Sequence, residues 1–130
     1  MLPLDPVKVW AVLPEAYTAL GLAPVEVDGA GSRVGARKVR VQGRLKGIDM
    51  AQYMDCGASR VGTPNASTYE VRMTLLTSFA GDGRRSSRLW TALIAEANNP
   101  LSGSSQRVLC YTNGGLEAKL HAEVERRAAP

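Results

Sequence analysis

The chain has 130 residues, 45% of them apolar and 22% charged, an ordinary globular balance that excludes wholesale disorder and gives one domain over residues 1–130. No apolar run approaches the roughly 20 residues of a membrane-spanning helix, so no transmembrane segment is expected, and 5% aromatic content leaves Val, Leu, Ala and Met to build the core. Sixteen basic against 12 acidic residues give a net charge of +4, an excess that bears on solubility before it bears on partners.

The first predicted element is a helix. Asp5 suits the N-cap, Pro6 the first helical position, and Leu4 can staple onto Val9. Val9, Trp10, Leu13, Ala16, Tyr17 and Leu20 then recur on one helical face. Pro14 removes an internal hydrogen bond and predicts a kink or a short first segment, and Gly21 supplies a left-handed stop. Residues 24–28 read as a strand, Gly29-Ala30-Gly31-Ser32 as a turn, and 33–42 as its hairpin partner. Strict alternation over 33–42 puts Val34, Ala36, Lys38 and Arg40 on one side and Arg37, Val39 and Val41 on the other. From Gly43 to Asn65 the pattern fails, apart from one helical turn suggested over 49–54. A connection this long without regular structure often carries function or a staple.

The clearest periodicity runs over 68–79, with Tyr69, Val71, Met73, Leu75 and Phe79 on one face and Glu70, Arg72, Thr74 and Ser78 on the other. A Gly-rich turn over 81–85 leads to a partner strand over 88–97. Its Leu89, Thr91, Leu93, Ala95 and Ala97 continue the inner face, while Trp90 and Ile94 point outward beside Leu76. After a loop over 98–105, residues 106–112 form a short strand holding Cys110. Asn113 is placed to cap a last helix with the apolar stripe Leu116, Leu120 and Val124. The order α-β-β-loop-β-β-β-α predicts an α+β fold: a single antiparallel sheet of about five strands packed against N- and C-terminal helices.

Cys56 and Cys110 are too far apart for a CxxC pair, and one histidine in the chain makes a four-ligand zinc site hard to assemble. A disulfide, two buried free thiols and a reactive thiol are the three readings. Cys56, before a glycine in a polar loop, is a poor buried thiol, which favours the disulfide and with it an oxidising compartment. The sequence begins MLPLDP, without the basic and apolar regions of a secretory signal, so export requires a signal outside it; cytoplasmic residence with free thiols is the alternative.

Basic residues cluster over 29–48 (Arg33, Arg37, Lys38, Arg40, Arg44, Lys46) and again at Arg84, Arg85 and Arg88. An anionic partner such as phospholipid head groups, peptidoglycan or nucleic acid is one reading. A solvated sheet face, with cations discouraging edge pairing, is favoured, and nucleic acid is not, because no aromatics are interleaved to stack bases.

Gly29-Ala30-Gly31-Ser32-Arg33-Val34-Gly35 follows a strand but misses the dinucleotide spacing and opens no helix, so it is a hairpin turn. Glu117, His121 and Glu125 stand at i±4 spacing, more simply a solvated helix face than a metal site. Asn113-Gly114-Gly115 offers free N–H groups for an anion but reads better as a cap. No nucleophile elbow, phosphate-loop lysine or carboxylate pair is present, so no catalytic residue, metal or cofactor is assigned. Trp90, Ile94 and Leu76 are the feature to follow: large apolar outward residues mark either a surface covered by the loop around Cys56, which is favoured, or a partner site.

The stretch VKVWAVLPEAYTALGLAPVEVD (7–28) resembles the start of BamC-type lipoprotein domains of the bacterial envelope. YMDCG, YEVRMTLLTSF and VLCYTNGGLEAKL resemble exported bacterial proteins of similar layout. The resemblance implies a helix-grip fold and a non-catalytic accessory role in the periplasm or at the outer membrane. It carries over no catalytic residue and no lipid anchor. The function expected is therefore a protein-interaction module with an envelope protein as partner, using Trp90, Ile94 and Leu76 or the basic residues Arg37, Arg40 and Arg44. One alternative is an apolar-ligand carrier with a cavity lined by Met73, Leu75, Leu93 and Leu120, and another is a nucleic-acid-binding sheet.

Overall fold

A computed structural model describes residues 4–81, 86–99 and 107–129. Helix α1 (Pro6–Ala19) begins as the sequence predicts: the Asp5 carboxylate accepts from the Val7 N–H at 2.9 Å, and Pro6 takes the first turn. Its end is a Schellman motif. Gly21, at φ +80°, donates to Thr18 O and Leu22 donates to Tyr17 O, so two otherwise orphaned carbonyls are satisfied. Pro14 does not shorten the helix, which runs through it for 14 residues; packing of Val9, Leu13, Ala16 and Tyr17, all fully buried, outweighs one lost hydrogen bond.

Strands β1 (Glu26–Asp28), β2 (Arg33–Gln42), β6 (Glu70–Gly81), β7 (Ser87–Asn98), β8 (Val108–Thr112) and β5 (Met54–Asp55) form one antiparallel sheet in the order β1-β2-β6-β7-β8-β5. The predicted fold class holds, with six strands where about five were expected. The additional strand comes from the segment that showed no pattern. There a two-stranded hairpin, β3 (Arg44–Leu45) with β4 (Ile48–Asp49), is followed by a 3₁₀ turn (Met50–Gln52), β5 and the short helix α2 (Asn65–Thr68). Asp49 organises this region. Its carboxylate accepts from Ser67 Oγ at 2.7 Å and from the Ala51 N–H at 2.9 Å, which holds its pKa below the ordinary value, with Arg44 adding a smaller pull. Of the turn expected over 81–85, Gly81 instead closes β6, and residues 82–85 lie outside the described residues, as do residues 100–106.

The alternation expected for β2 is wrong in its second half. Pairing with β6 shifts between Ala36 and Val39: Ala36 stands opposite Leu75 and Val39 opposite Met73, so Arg37 and Lys38 together face Thr74. This β-bulge flips the phase, and Val34, Ala36, Val39 and Val41 all turn inward and are buried. Lys38 takes the left-handed region at φ +52° and donates its N–H to Thr74 Oγ1 at 3.1 Å, which accommodates the extra residue. Gly35 is fixed by close approach, since a Cβ there would sit 2.5 Å from Leu75 O.

Helices α1 and α3 (Gly115–Ala128) pack against each other and cover the inner face; α1 contacts β2 and β6, and α3 contacts β7. The predicted stripe of Leu116, Leu120 and Val124 is fully buried, and Ala128 nearly so, each leucine contributing about 2 kcal/mol by burial. The helix N-cap is Gly114 in the left-handed region, not Asn113; Asn113 instead accepts from the Gly115 N–H and donates its amide to Gln52 O, tying the 3₁₀ turn to the helix start. Among the described residues no helix is long and apolar enough to cross a membrane.

Candidate functional site: the outer sheet face

Cys56 and Cys110 form a disulfide. Cys110 stands opposite Ala95 in the β7–β8 register, and Ala95 is buried on the inner face. The bridge therefore draws the Cys56 segment toward the core, and Cys56 itself is buried. This overturns the expectation that the loop covers the outer apolar residues. Leu76 is 40% exposed, Trp90 50% and Ile94 72%.

Two further residues, missed from the sequence, extend the patch. Glu96 stands opposite Leu109 and Asp55 opposite Tyr111, so both side chains share the outer face, at 68% and 70% exposure. The signal was there: Leu109 and Tyr111 flank Cys110, and period-two alternation sends them opposite to it. The outer face of β6, β7 and β8 thus carries five large apolar side chains beside the paired ions Arg72–Glu70 at 3.2 Å and Arg107–Glu96 at 2.6 Å.

The three basic candidates separate. Arg37 pairs with Glu26 at 3.0 Å. Arg40 stands opposite Arg72 on the same outer face, two like charges side by side. Arg44 is not part of this face; it lies in β3 opposite Asp49. A groove of about 350 Å³ crosses the outer face over the bulge; its lining includes Lys38, Arg72, Thr74, Ile94, Arg107 and Leu109, with Glu96 its one carboxylate. A second, of about 440 Å³, lies over β1, β2 and β6 and includes Arg33, Arg37 and Leu76.

The expected carrier cavity is not where its residues are. A space that takes a water molecule leaves accessible area on the side chains lining it, and Met73, Leu75 and Leu120 are at 1% or less. Leu93 is half-buried beside the core. These side chains are close-packed, as protein interiors usually are.

The inner face holds a feature that sequence periodicity could not reveal. Tyr17 Oη lies 3.1 Å from Val34 O and 2.7 Å from Thr77 Oγ1; Thr77 Oγ1 lies 2.7 Å from Thr91 Oγ1, and Thr91 Oγ1 2.8 Å from His121 Nε2. A carbonyl only accepts, so the single Tyr17 proton goes to Val34. Thr77 must then donate to Tyr17, Thr91 to Thr77, and His121 Nε2–H to Thr91. The chain runs one way and fixes the histidine tautomer. Burial pushes the Tyr17 phenol up to about 12, against the opposing Thr77 hydrogen bonds. Burial likewise holds His121 below its ordinary value, although Glu125 and Glu117 pull it up. With Nε2–H committed to Thr91, only Nδ1 of His121 keeps a free lone pair, and no cluster of three metal-binding side chains occurs among the described residues.

No protein-family model matches this chain, and neither the curated proteins nor the solved structures searched contain a match. The reading of the outer face therefore rests on its own geometry.

Proposed function

We propose that this chain is an exported, non-catalytic protein-docking domain of the bacterial cell envelope, which binds its partner through the outer face of β6, β7 and β8. The observation that carries the reading is the set of Leu76, Trp90, Ile94, Leu109 and Tyr111, exposed together on one sheet face. A monomer gains nothing from leaving such a set in water, whereas a docking surface needs an apolar centre with a polar rim. The sheet makes the face rigid, so little ordering cost falls on binding. The disulfide supports the placement, because such bridges persist in oxidising compartments. The likeness of 7–28 to BamC-type domains supports the envelope.

The test is a photo-crosslinking amino acid at Ile94, compared with one at Val7, which is equally apolar and exposed at 77% but sits on α1, across the sheet. In cells making the protein, Ile94 should yield one discrete adduct, lost on Trp90→Asp, and Val7 none. No adduct at Ile94, or the same products from both positions, rules the reading out.

A further inference from the structure

We propose that the groove over the β2 bulge is a carboxylate-reading subsite: Lys38 receives an acidic side chain from an extended partner segment, whose aliphatic neighbours lie on Ile94 and Leu109. The inference rests on the docking reading and adds the chemistry of the partner.

The bulge creates the site. In an unbroken strand the residue beside Thr74 would be single and the register regular. The extra residue instead holds Lys38 in the left-handed region, where non-glycine residues are uncommon, and ties its N–H to Thr74 Oγ1. Such a conformation persists only where its surroundings enforce it, and here it places the lysine on the wall of the 350 Å³ groove.

The charges of the groove do not cancel. Arg107 is matched by Glu96 and Arg72 by Glu70, while Lys38 has no carboxylate partner among the described residues. One open cation thus stands across the groove from two of the most exposed aliphatic side chains, Ile94 and Leu109. That combination fits a carboxylate with aliphatic residues beside it. A second copy of the chain fits poorly, because Glu70 and Glu96 on its outer face are already taken by Arg72 and Arg107. An anionic lipid surface fits poorly too, because Glu70 and Glu96 stand among the cations of this face and weaken its pull.

The test uses isotope-labelled full-length protein and two acetylated, amidated peptides, Glu-Leu-Glu-Leu and Lys-Leu-Lys-Leu. The acidic peptide should produce saturable amide shifts at Lys38, Thr74, Ile94 and Leu109, and the basic one none. Lys38→Asn, a residue that tolerates the left-handed backbone, should weaken the acidic peptide roughly fivefold while the spectrum stays that of the folded protein. Lys38→Glu should transfer the preference to the basic peptide. Unchanged acidic binding in both variants, no shift with either peptide, or sedimentation with phosphatidylglycerol vesicles in place of peptide binding overturns the proposal. The Ile94 crosslink separates the two levels: an adduct that persists undiminished in Lys38→Glu leaves docking standing and removes the subsite, whereas no adduct in the parent removes docking itself.

Discussion

The two faces of β6 and β7 invert the usual arrangement at their centre. Inward, Thr77 and Thr91 put hydroxyls into the core; outward, Leu76, Trp90 and Ile94 put large apolar groups into water. The inward exception is complete, since every hydroxyl proton has an acceptor and the chain ends on a backbone carbonyl. The outward exception has no such closure within the described residues. A polar group left in a core must find its partners there, whereas an apolar group left on a surface can find its partner in another molecule. On the proposed docking reading, the same two strands serve stability on one side and recognition on the other.

The largest expected effect tests what anchors the sheet beyond β7. The disulfide closes a loop with a sequence separation of 54, and Cys56→Ser with Cys110→Ser should lower unfolding stability by about 4 kcal/mol on the chain-entropy model. Denaturant titration of the oxidised, reduced and doubly substituted proteins measures it, and the midpoint should fall equally in the last two. Protein trapped with an alkylating reagent straight from cells should carry no label at either cysteine. Label at both places the chain in a reducing compartment, and the envelope assignment then fails.

Next is the inward hydroxyl chain. Tyr17→Phe keeps the ring but leaves Thr77 without its acceptor and Val34 O without that donor, a loss of about 1–3 kcal/mol. Adding Thr77→Val should cost less than the sum of the single changes, because the orphaned hydroxyl goes with it. Strict additivity in urea titrations would show that the two groups are not coupled.

How far these faces could be read from sequence differs between them. The period-two pattern of β6 and β7 and the Leu116-Leu120-Val124 stripe are local, and the cysteines, although 54 positions apart, are the only two in the chain; each feature is legible. The β2 bulge escapes a strict alternation carried across Arg37-Lys38, although the step from Val34 and Ala36 to Val39 and Val41 records it. Strand β5 has two residues and no pattern of its own. It exists because Asn113 donates its N–H to Tyr53 O at 3.0 Å and because the disulfide holds the next residue, both partners lying more than 50 positions away. The hydroxyl chain gathers one side chain from each of four elements, and only the fold makes them neighbours. The cover expected over Trp90 fails for a related reason: a disulfide tether is the favoured reading of the cysteines, but the face it lands on depends on the β7–β8 register.

A smaller effect sharpens the inward side. Burial holds the folded pKa of His121 below its ordinary 6.5, so between the two values the unfolded chain binds more protons than the native one. Stability should then fall as pH drops through 6.5, and this contribution should be fully lost below the folded pKa. The charged groups concerned are Glu117 and Glu125 on α3 itself; the contact from β7 is the neutral Thr91. Unfolding between pH 7.5 and 5 measures the change clear of the carboxylates, and His121→Gln should flatten it. Nitrogen shifts of the one histidine should report the Nε2–H form at neutral pH. The Nδ1–H form there would reverse the hydrogen-bond direction deduced for Thr91, Thr77 and Tyr17.

The smallest effect belongs to the outer face, and its smallness is the point. Ile94→Thr keeps a β-branched residue at a site that is 72% exposed, so stability should change by no more than about 0.5 kcal/mol. Partner capture at the neighbouring Leu109, by the same crosslinking chemistry, should nevertheless fall strongly. A side chain whose removal spares the fold and costs the complex acts through binding alone. A loss of several kcal/mol from Ile94→Thr would instead make the residue part of a packed layer, and the outer face would become a second core.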